Sequence, residues 1–202
     1  MISVVIIARP NEEIKTIGTF KGYDELIIVR KKAHPSICRN FGGSKTKGDV
    51  ILFLDSDMDL LGVNVKELER EFKENKYDLA TAWYDTVVPR DRFIVNLRNT
   101  VLSIYPVPLG FWGGFMMVRK EVWEGVKFKE VFWEDVNFAV RVWLRGYRLG
   151  VLNTRVVHLR KFKDWVSPYF TQVFINMIKE FTQNGVEGLV SYTLKVLDNF
   201  SP

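Results

Sequence analysis

The sequence predicts an α/β fold in which a mostly parallel, doubly wound sheet carries helices on both faces. Short, largely apolar runs at residues 2–8, 25–30 and 49–55 are typical of strands that are covered on both sides. Two later runs, at residues 79–83 and 113–118, predict further strands. Helical patterns alternate with the strands, which is the order that builds a parallel sheet. Ligands of such sheets bind beyond the carboxyl ends of the strands, so we expect functional residues there.

The helices have their own local signals. The connection between the first two strands is short, so any helix after residues 11–13 has at most two turns. Asn64 is expected to begin a helix, because Glu67 three residues later completes a box-like N-terminal pattern. Residues 134–146 predict another helix, with apolar residues on one face and a glycine at its end.

The composition predicts one domain with a helical tail. The 202 residues are 47% apolar, which is enough for one sizeable core. We place the domain at residues 1–162 and a C-terminal helical extension at residues 163–202. A Ser-Pro pair at residues 167–168 is expected to begin a helix that an Asn-Gly pair at residues 184–185 ends, and a second helix follows. Three placements of this extension stay open: packed on the domain, paired in a homodimer, or on a membrane surface.

Charge and cysteine usage exclude some classes of protein. The net charge is +5, but lysine and arginine are mixed with acidic residues, so we expect no nucleic-acid partner. The single cysteine, Cys38, forms no intrachain disulfide, and no secretory signal pattern opens the chain. We therefore expect a cytoplasmic protein, with a peripheral position on the inner face of the membrane left open.

One uncharged segment, residues 99–118, is long enough to span a bilayer. Two prolines and three glycines interrupt it, which disfavours a continuous helix. We expect a buried loop and strand there.

An acidic cluster follows the third predicted strand. Asp55, Asp57 and Asp59 alternate along the chain, and carboxylates held this close repel one another unless a cation lies among them. Aspartate oxygens suit hard divalent ions such as Mg²⁺ or Mn²⁺, which also bind substrate phosphates. The alternative is a solvated acidic turn that precedes the next helix.

Three stretches, at residues 3–13, 36–58 and 133–148, resemble in order and spacing the family 2 glycosyltransferases with the GT-A fold. The resemblance implies that a sugar passes, with inversion and with Mn²⁺ or Mg²⁺, from a nucleotide-diphosphate sugar to a hydroxyl of a sugar or lipid-linked glycan. Two alternatives stay open. One is a synthase that transfers the sugar to a polyprenyl phosphate, and the other is an inactive relative that binds nucleotide sugars.

The resemblance also implies roles for single residues. Asp57 matches the usual metal ligand, Asp55 lies by the metal and the ribose or sugar of the donor, and His158 matches a histidine that approaches the metal or the diphosphate. The remaining donor-binding matches are Asn11, Glu12, Arg39, Asn40, Trp112, Gly113 and Gly114. Purely structural roles stay open as well: an ion pair for Arg39, a turn for Asn11 and Glu12, a core position for Trp112 and a surface position for His158.

Glu134 and Asp135 match the acidic pair of inverting members, in which the second acid is the catalytic base. Asp135 is thus expected to take the proton of the acceptor hydroxyl, a step that a carboxylate within hydrogen-bond reach performs. A helix N-terminus favours the ionised carboxylate that such a base needs. The alternative is that these acids only cap the predicted helix.

The sequence also departs from the family pattern. Members commonly have paired acids after the second strand, where this chain has basic residues at positions 30–32. The identity of the nucleobase therefore stays open. Arg160, Lys161 and Lys163 are candidates for a basic lid over the diphosphate or for a solvated turn.

Overall fold

The computed structural model describes residues 1–162 and 166–198, with the side chains of residues 166, 167 and 198 left out. The strands are β1 (Ile2–Ala8), β2 (Phe20–Lys21), β3 (Glu25–Arg30), β4 (Val50–Asp55), β5 (Met58–Asp59), β6 (Val63–Asn64), β7 (Leu79–Thr86), β8 (Phe115–Arg119) and β9 (Leu149–His158). The helices are α1 (Pro35–Lys45), α2 (Val65–Glu74), α3 (Arg92–Ile104), α4 (Lys120–Val126), α5 (Glu134–Trp143) and α6 (Val166–Asp198). The predicted lid residue Lys163 and the domain boundary at residue 163 lie outside the described residues.

The main sheet has the strand order β3-β1-β4-β8-β7-β9-β5. Its three longest ladders, β1 with β3, β1 with β4 and β7 with β9, are parallel, and β8 is antiparallel to both of its neighbours. Consequently β1, β3, β4, β7 and β9 all point the same way. Their carboxyl ends lie at one edge of the sheet, together with the beginning of β8.

Helices cover both faces of the sheet, as predicted. Val5, Ile51 and Phe53 point to the face that Trp123 of α4 and Phe138 of α5 cover. The opposite face carries the other side chains of β1 and β4 and packs against α2, α3 and α6. The alternating burial makes a three-layer domain in which the strand ends of one edge stay accessible.

Three helices were not predicted. In α1 the sequence has two adjacent glycines, which read as breakers, but a Cβ on Gly42 would lie 2.3 Å from the Val5 side chain, so glycine permits the close approach to β1. Helix α3 covers the first part of the uncharged segment at residues 99–118, and the remainder is the buried loop and strand that we expected. Helix α4 is a short connection of seven residues. The turns after residues 11–13 contain no helix.

The C-terminal helix α6 packs on the domain against α3. Its path breaks at Gly185, whose φ of 64° lies in the left-handed region, which confirms the two helical segments on either side of that residue. The buried side chains of α6 are Phe170, Val173, Phe174, Met177, Leu189, Thr193, Val196 and Leu197. Across the part of the chain that the structure describes, every helix is too short or too polar to cross a bilayer.

Candidate active site

The acidic cluster lies where the chain leaves β4 and crosses to the far edge of the sheet. Met58 in β5 pairs with His158 at the end of β9, so the segment after Asp55 passes over the ends of β8 and β7. Thr16 fixes this crossing, because its hydroxyl donates to the Asp55 carbonyl at 2.6 Å and accepts from the Met58 amide at 3.0 Å. The crossing brings Asp57 to the end of β9.

Asp57 is buried and lies between two basic groups. Its Oδ2 is 3.2 Å from Nε of Arg160 and 3.7 Å from Nε2 of His158. Burial and the neighbouring Asp55 raise the pKa of Asp57, and His158 and Arg160 partly offset that rise. The two basic groups therefore balance the negative charge of the Asp57 carboxylate only in part, which favours the binding of a further cation.

Arg39 joins the carboxylates of Asp55 and Glu134. This buried guanidinium binds Asp55 at 2.8 Å, pairs with Glu134, and donates to the Gly113 carbonyl at 3.2 Å. Burial would lower the pKa of Arg39, but Asp55, Glu134 and Asp135 raise it overall. Arg39 therefore makes the ion pairs that the structural alternative requires, and its role at the donor stays a prediction.

Asp135 lies at the beginning of α5 with its carboxylate fixed by backbone amides. Gly113 and Val136 each donate to it at 2.7 Å. Burial and the neighbouring Glu134 raise the pKa of Asp135 to about 7, and Arg39 limits the rise. Trp133, the residue before α5, has a φ of 54°, a conformation that is uncommon for residues other than glycine. An oriented carboxylate with this pKa is suited to act as a base near neutral pH.

The loop before β8 brings its backbone against the charged groups. A Cβ on Gly113 would lie 2.3 Å from Nη2 of Arg39 and 3.1 Å from Oδ2 of Asp135, so only glycine fits there. Its neighbour Trp112 is 9% exposed and packs edge-on against Tyr84 and Phe162. Trp112 therefore belongs mainly to the core, with one part reaching the site.

A cleft of about 480 Å³ opens above these groups. It brings together seven predicted site residues, which are Asp55, Trp112, Gly113, Gly114, Glu134, Asp135 and His158. The sequence analysis missed several of its other lining residues, namely Arg9, His34, Tyr84, Ile94, Phe132, Trp133, Val136, Phe162 and Phe170. Arg9 and Tyr84 had a usable signal, since each lies at the carboxyl end of a predicted strand.

Asn11 and Glu12 lie in a second cleft of about 640 Å³, which shares Arg9 with the first. Glu12 accepts from the Arg9 amide at 3.0 Å and pairs with Arg160. Burial opposes the ionised form, but Arg160 and the Arg9 amide lower the pKa of Glu12 to about 2. Lys31 and Lys32 also line this cleft, so it is suited to an anionic group.

Asn40 was predicted to bind the donor, but its side chain is used elsewhere. It donates to the Phe128 carbonyl at 2.8 Å and accepts from the Phe128 amide at 3.0 Å. This pair of hydrogen bonds fastens α1 to the segment between α4 and α5. Neither of the two clefts includes Asn40 in its lining.

Asp57 and His158, which we call the acidic corner, fit a divalent metal that takes few ligands from the protein. Asp57 Oδ2 and His158 Nε2 are 3.7 Å apart, so a small side-chain movement lets both bind one ion. The other ring nitrogen of His158 is buried without a hydrogen-bond partner among the described residues. Within residues 1–162 and 166–198 no three His, Cys, Asp or Glu side chains are grouped to hold a metal. A divalent ion held there would take its further ligands from water and substrate oxygens, as Mg²⁺ and Mn²⁺ accept.

Solved structures share this fold. The chain is similar to glucosyl-3-phosphoglycerate synthase from Mycobacterium tuberculosis in complex with Mn²⁺, UDP-glucose and phosphoglyceric acid, with a TM-score of 0.56 and 15% identity over 95% of this chain and 79% of that one. It is also similar to residues 1–349 of S. aureus TarS in complex with UDP-GlcNAc, with a TM-score of 0.59 and 15% identity over 89% of this chain and 66% of that one. These similarities confirm the GT-A fold.

The sequence by itself has no such match. No protein-family model matches it, and no curated protein matches it at a significant level. At 15% identity the structural similarity establishes the fold, and the function has to be argued from the site.

Proposed function

We propose that this protein is a metal-dependent, inverting glycosyltransferase that moves a sugar from a nucleotide-diphosphate donor to an acceptor hydroxyl. One observation carries the proposal: Asp135, with a pKa of about 7, shares a cleft with Asp55, Gly113 and His158 at the edge where the strands end. The solved structures of similar fold, with Mn²⁺ and UDP-glucose or with UDP-GlcNAc, support a nucleotide-sugar ligand.

Asp135 acts as the base. As the acceptor oxygen forms its bond to the anomeric carbon, the hydroxyl proton passes to the Asp135 carboxylate, and the bond from that carbon to the diphosphate oxygen breaks with its electron pair on the diphosphate. Each carboxylate oxygen already accepts one backbone N–H, which fixes the carboxylate and leaves a lone pair free for the substrate. Attack from the face opposite the diphosphate inverts the anomeric configuration.

Asp57 and His158 would hold the metal, which would supply positive charge to the diphosphate. Arg39 lies outside this exchange of bonds. It keeps Asp55 and Glu134 in place, and its charge limits the rise of the pKa of Asp135. Arg9, Lys31 and Lys32 in the second cleft provide the positive charge that an anionic nucleotide requires.

A thermal-shift panel of nucleoside diphosphates, with and without Mn²⁺, tests the donor site. Binding to the native state raises the melting temperature, so one nucleotide is expected to stabilise the protein only when Mn²⁺ is present. Asp57→Ala removes the metal ligand and is expected to abolish that stabilisation. Asp59→Ala, two residues along the chain, serves as the matched control. A panel without any metal-dependent shift contradicts the proposal.

The stereochemistry is tested separately. With the nucleotide sugar that the panel identifies, the anomeric configuration of the product is measured by NMR as it forms. We expect the opposite configuration to that of the donor. Retention contradicts the role of Asp135 as a base and leaves the donor site intact.

A second acceptor class is favoured by the apolar wall of the same cleft. Ile94, Val136 and Phe170 line it from three different helices, and Phe132 and Phe162 complete the wall. Such a wall suits a polyprenyl phosphate, whose phosphate is already anionic and needs little help from a base. Transfer that survives Asp135→Asn with this acceptor, and fails with neutral sugars, supports the second candidate.

A further inference from the structure

Arg160 lines the second cleft and makes two ion pairs. Its guanidinium pairs with Glu12, from the segment after β1, and its Nε lies 3.2 Å from Oδ2 of Asp57, from the segment after β4. The amide of the neighbouring residue, Leu159, donates to the Asp57 carbonyl at 2.9 Å, so a backbone hydrogen bond holds the segment before Arg160 next to Asp57. Arg160 is therefore a cation in direct contact with the proposed metal ligand.

The same carboxylate oxygen serves both the arginine and the proposed metal site. Oδ2 of Asp57 faces Nε of Arg160 at 3.2 Å and Nε2 of His158 at 3.7 Å. A divalent ion between Asp57 and His158 lies close to the guanidinium, and two positive charges at that distance repel each other. Metal binding at this oxygen therefore competes with the ion pair to Arg160.

We propose that Arg160 is an internal cation that occupies Asp57 until the metal binds and then moves to the diphosphate. This inference depends on the proposed function, because it takes Asp57 to be the metal ligand. In the metal-free protein this ion pair partly balances the charge of the buried carboxylate. The displaced guanidinium then meets the two charged phosphates that arrive with the metal.

The side chain is placed for such a movement. Arg160 is 53% exposed, and it follows the end of β9 instead of lying within it. Its contact with Glu12 keeps it at the boundary of the second cleft, where Lys31 and Lys32 also lie. A planar guanidinium matches the oxygens of a phosphate with two parallel hydrogen bonds.

A static ion pair predicts a different pattern of affinities. If Arg160 only stabilised the loop, its removal would weaken the metal and the nucleotide alike or leave both unchanged. A competing cation that later binds the diphosphate predicts effects of opposite sign on the two ligands. The sign of the two changes therefore separates the two roles.

The experiment measures Mn²⁺ binding to the full chain by the electron paramagnetic resonance signal of free Mn²⁺. Arg160→Met is expected to bind Mn²⁺ alone about fivefold more tightly, because the competing ion pair, which is partly exposed, is lost. At saturating Mn²⁺, the same variant is expected to bind the nucleoside diphosphate at least about tenfold more weakly, because a charge-assisted hydrogen bond is lost. Arg155→Met, which removes an exposed arginine within β9, is the matched control and changes neither affinity.

Glu12→Gln is a second variant that keeps the arginine in place. It removes the other anionic partner of Arg160, so the guanidinium is expected to pair more strongly with Asp57, and Mn²⁺ alone is expected to bind more weakly than in the unmodified protein, the opposite of Arg160→Met. Unchanged or weaker Mn²⁺ binding in Arg160→Met overturns the inference and leaves the proposed function standing. Absence of Mn²⁺ binding in every variant overturns both.

Discussion

Two buried arginines, Arg39 and Arg98, have different surroundings. Arg39 is bound to the carboxylates of Asp55 and Glu134. Arg98 lies in α3 and has only neutral acceptors among the described residues, the nearest being the Gly110 carbonyl at 2.8 Å. Its other acceptors are the Ala82 carbonyl, the Thr81 hydroxyl and the Asn99 amide oxygen, and its charge lies over the rings of Tyr84 and Trp112.

The pKa values of the two arginines shift in opposite directions. Burial lowers the pKa of Arg98 to about 10, whereas the carboxylates around Arg39 outweigh burial and raise the pKa of that residue. Arg98 pins backbone groups of β7 and of the loop before β8, so its role is to hold the fold. Arg39 neutralises acids that the site needs, so its role is to set the charge of the site. Burial of an arginine alone does not distinguish the two roles.

The largest expected effect is on catalysis and comes from Asp135, the proposed base beside Arg39. Asp135→Asn is expected to lower kcat by roughly 10²- to 10⁴-fold, because the proton acceptor is lost. The asparagine oxygen still accepts from Gly113, so substrate affinity is expected to change little. In the unmodified protein kcat/KM is expected to rise with pH through about 7, as Asp135 ionises. A pH profile of both proteins measures this, and full activity of the variant with a neutral acceptor contradicts the assignment.

The next largest effect is on stability, with Arg39→Met and Arg98→Met as a matched pair of variants. Arg39→Met leaves partly buried carboxylates unpaired and is expected to lower the free energy of unfolding by about 3–5 kcal/mol. Arg98→Met leaves buried neutral acceptors unpaired, with a loss of about 1–3 kcal/mol. Urea denaturation measures both values.

The pH profile separates the same two variants. Arg39 lowers the pKa of Asp135, so its removal moves the acid limb of kcat/KM to higher pH. Arg98→Met is expected to leave that limb in place. An equal shift in both variants is the result that removes the distinction between the two arginines.

The local features of the fold could be predicted from the sequence, and so could the acidic residues Asp55, Glu134 and Asp135 that line the cleft. The strand runs, the Asn64 cap of α2 and the break at Gly185 depend on nearby residues, and each was predicted. The ion pair of Arg39 with Glu134 joins residues 95 positions apart, and periodicity carries no information on such a contact. The apolar wall of the cleft was missed for the same reason, since its residues come from separate helices and loops.

Asn40 is the neighbour of Arg39 in α1, but its side chain hydrogen-bonds the backbone of Phe128. Asn40→Ala leaves the Phe128 amide and carbonyl without their partner and is expected to lower the free energy of unfolding by about 1–3 kcal/mol. Nucleotide affinity is expected to stay unchanged, as measured by titration calorimetry. A loss of nucleotide affinity without a loss of stability restores the donor-binding role that the sequence suggested.

The smallest expected effect is on stability. The pKa of Asp135 is about 7 in the folded protein and about 3.9 in an unfolded chain, so its contribution to stability is fully present below about pH 4 and is lost as the pH rises to 7. Asp135→Asn does not titrate, so its melting temperature relative to the unmodified protein is expected to be higher by a few degrees at pH 8 than at pH 5. Glu121→Gln, at a highly exposed position, is the control, and a difference that is the same at both pH values contradicts the raised pKa.

The most direct test of the central claim is a crystal structure with Mn²⁺ and the nucleoside diphosphate selected by thermal shift. We expect an anomalous peak within about 2.0–2.3 Å of Asp57 Oδ2 and His158 Nε2, with diphosphate oxygens on the same ion and Arg160 turned away from Asp57. The claim is contradicted if that corner holds no metal and Asp57 remains paired with Arg160.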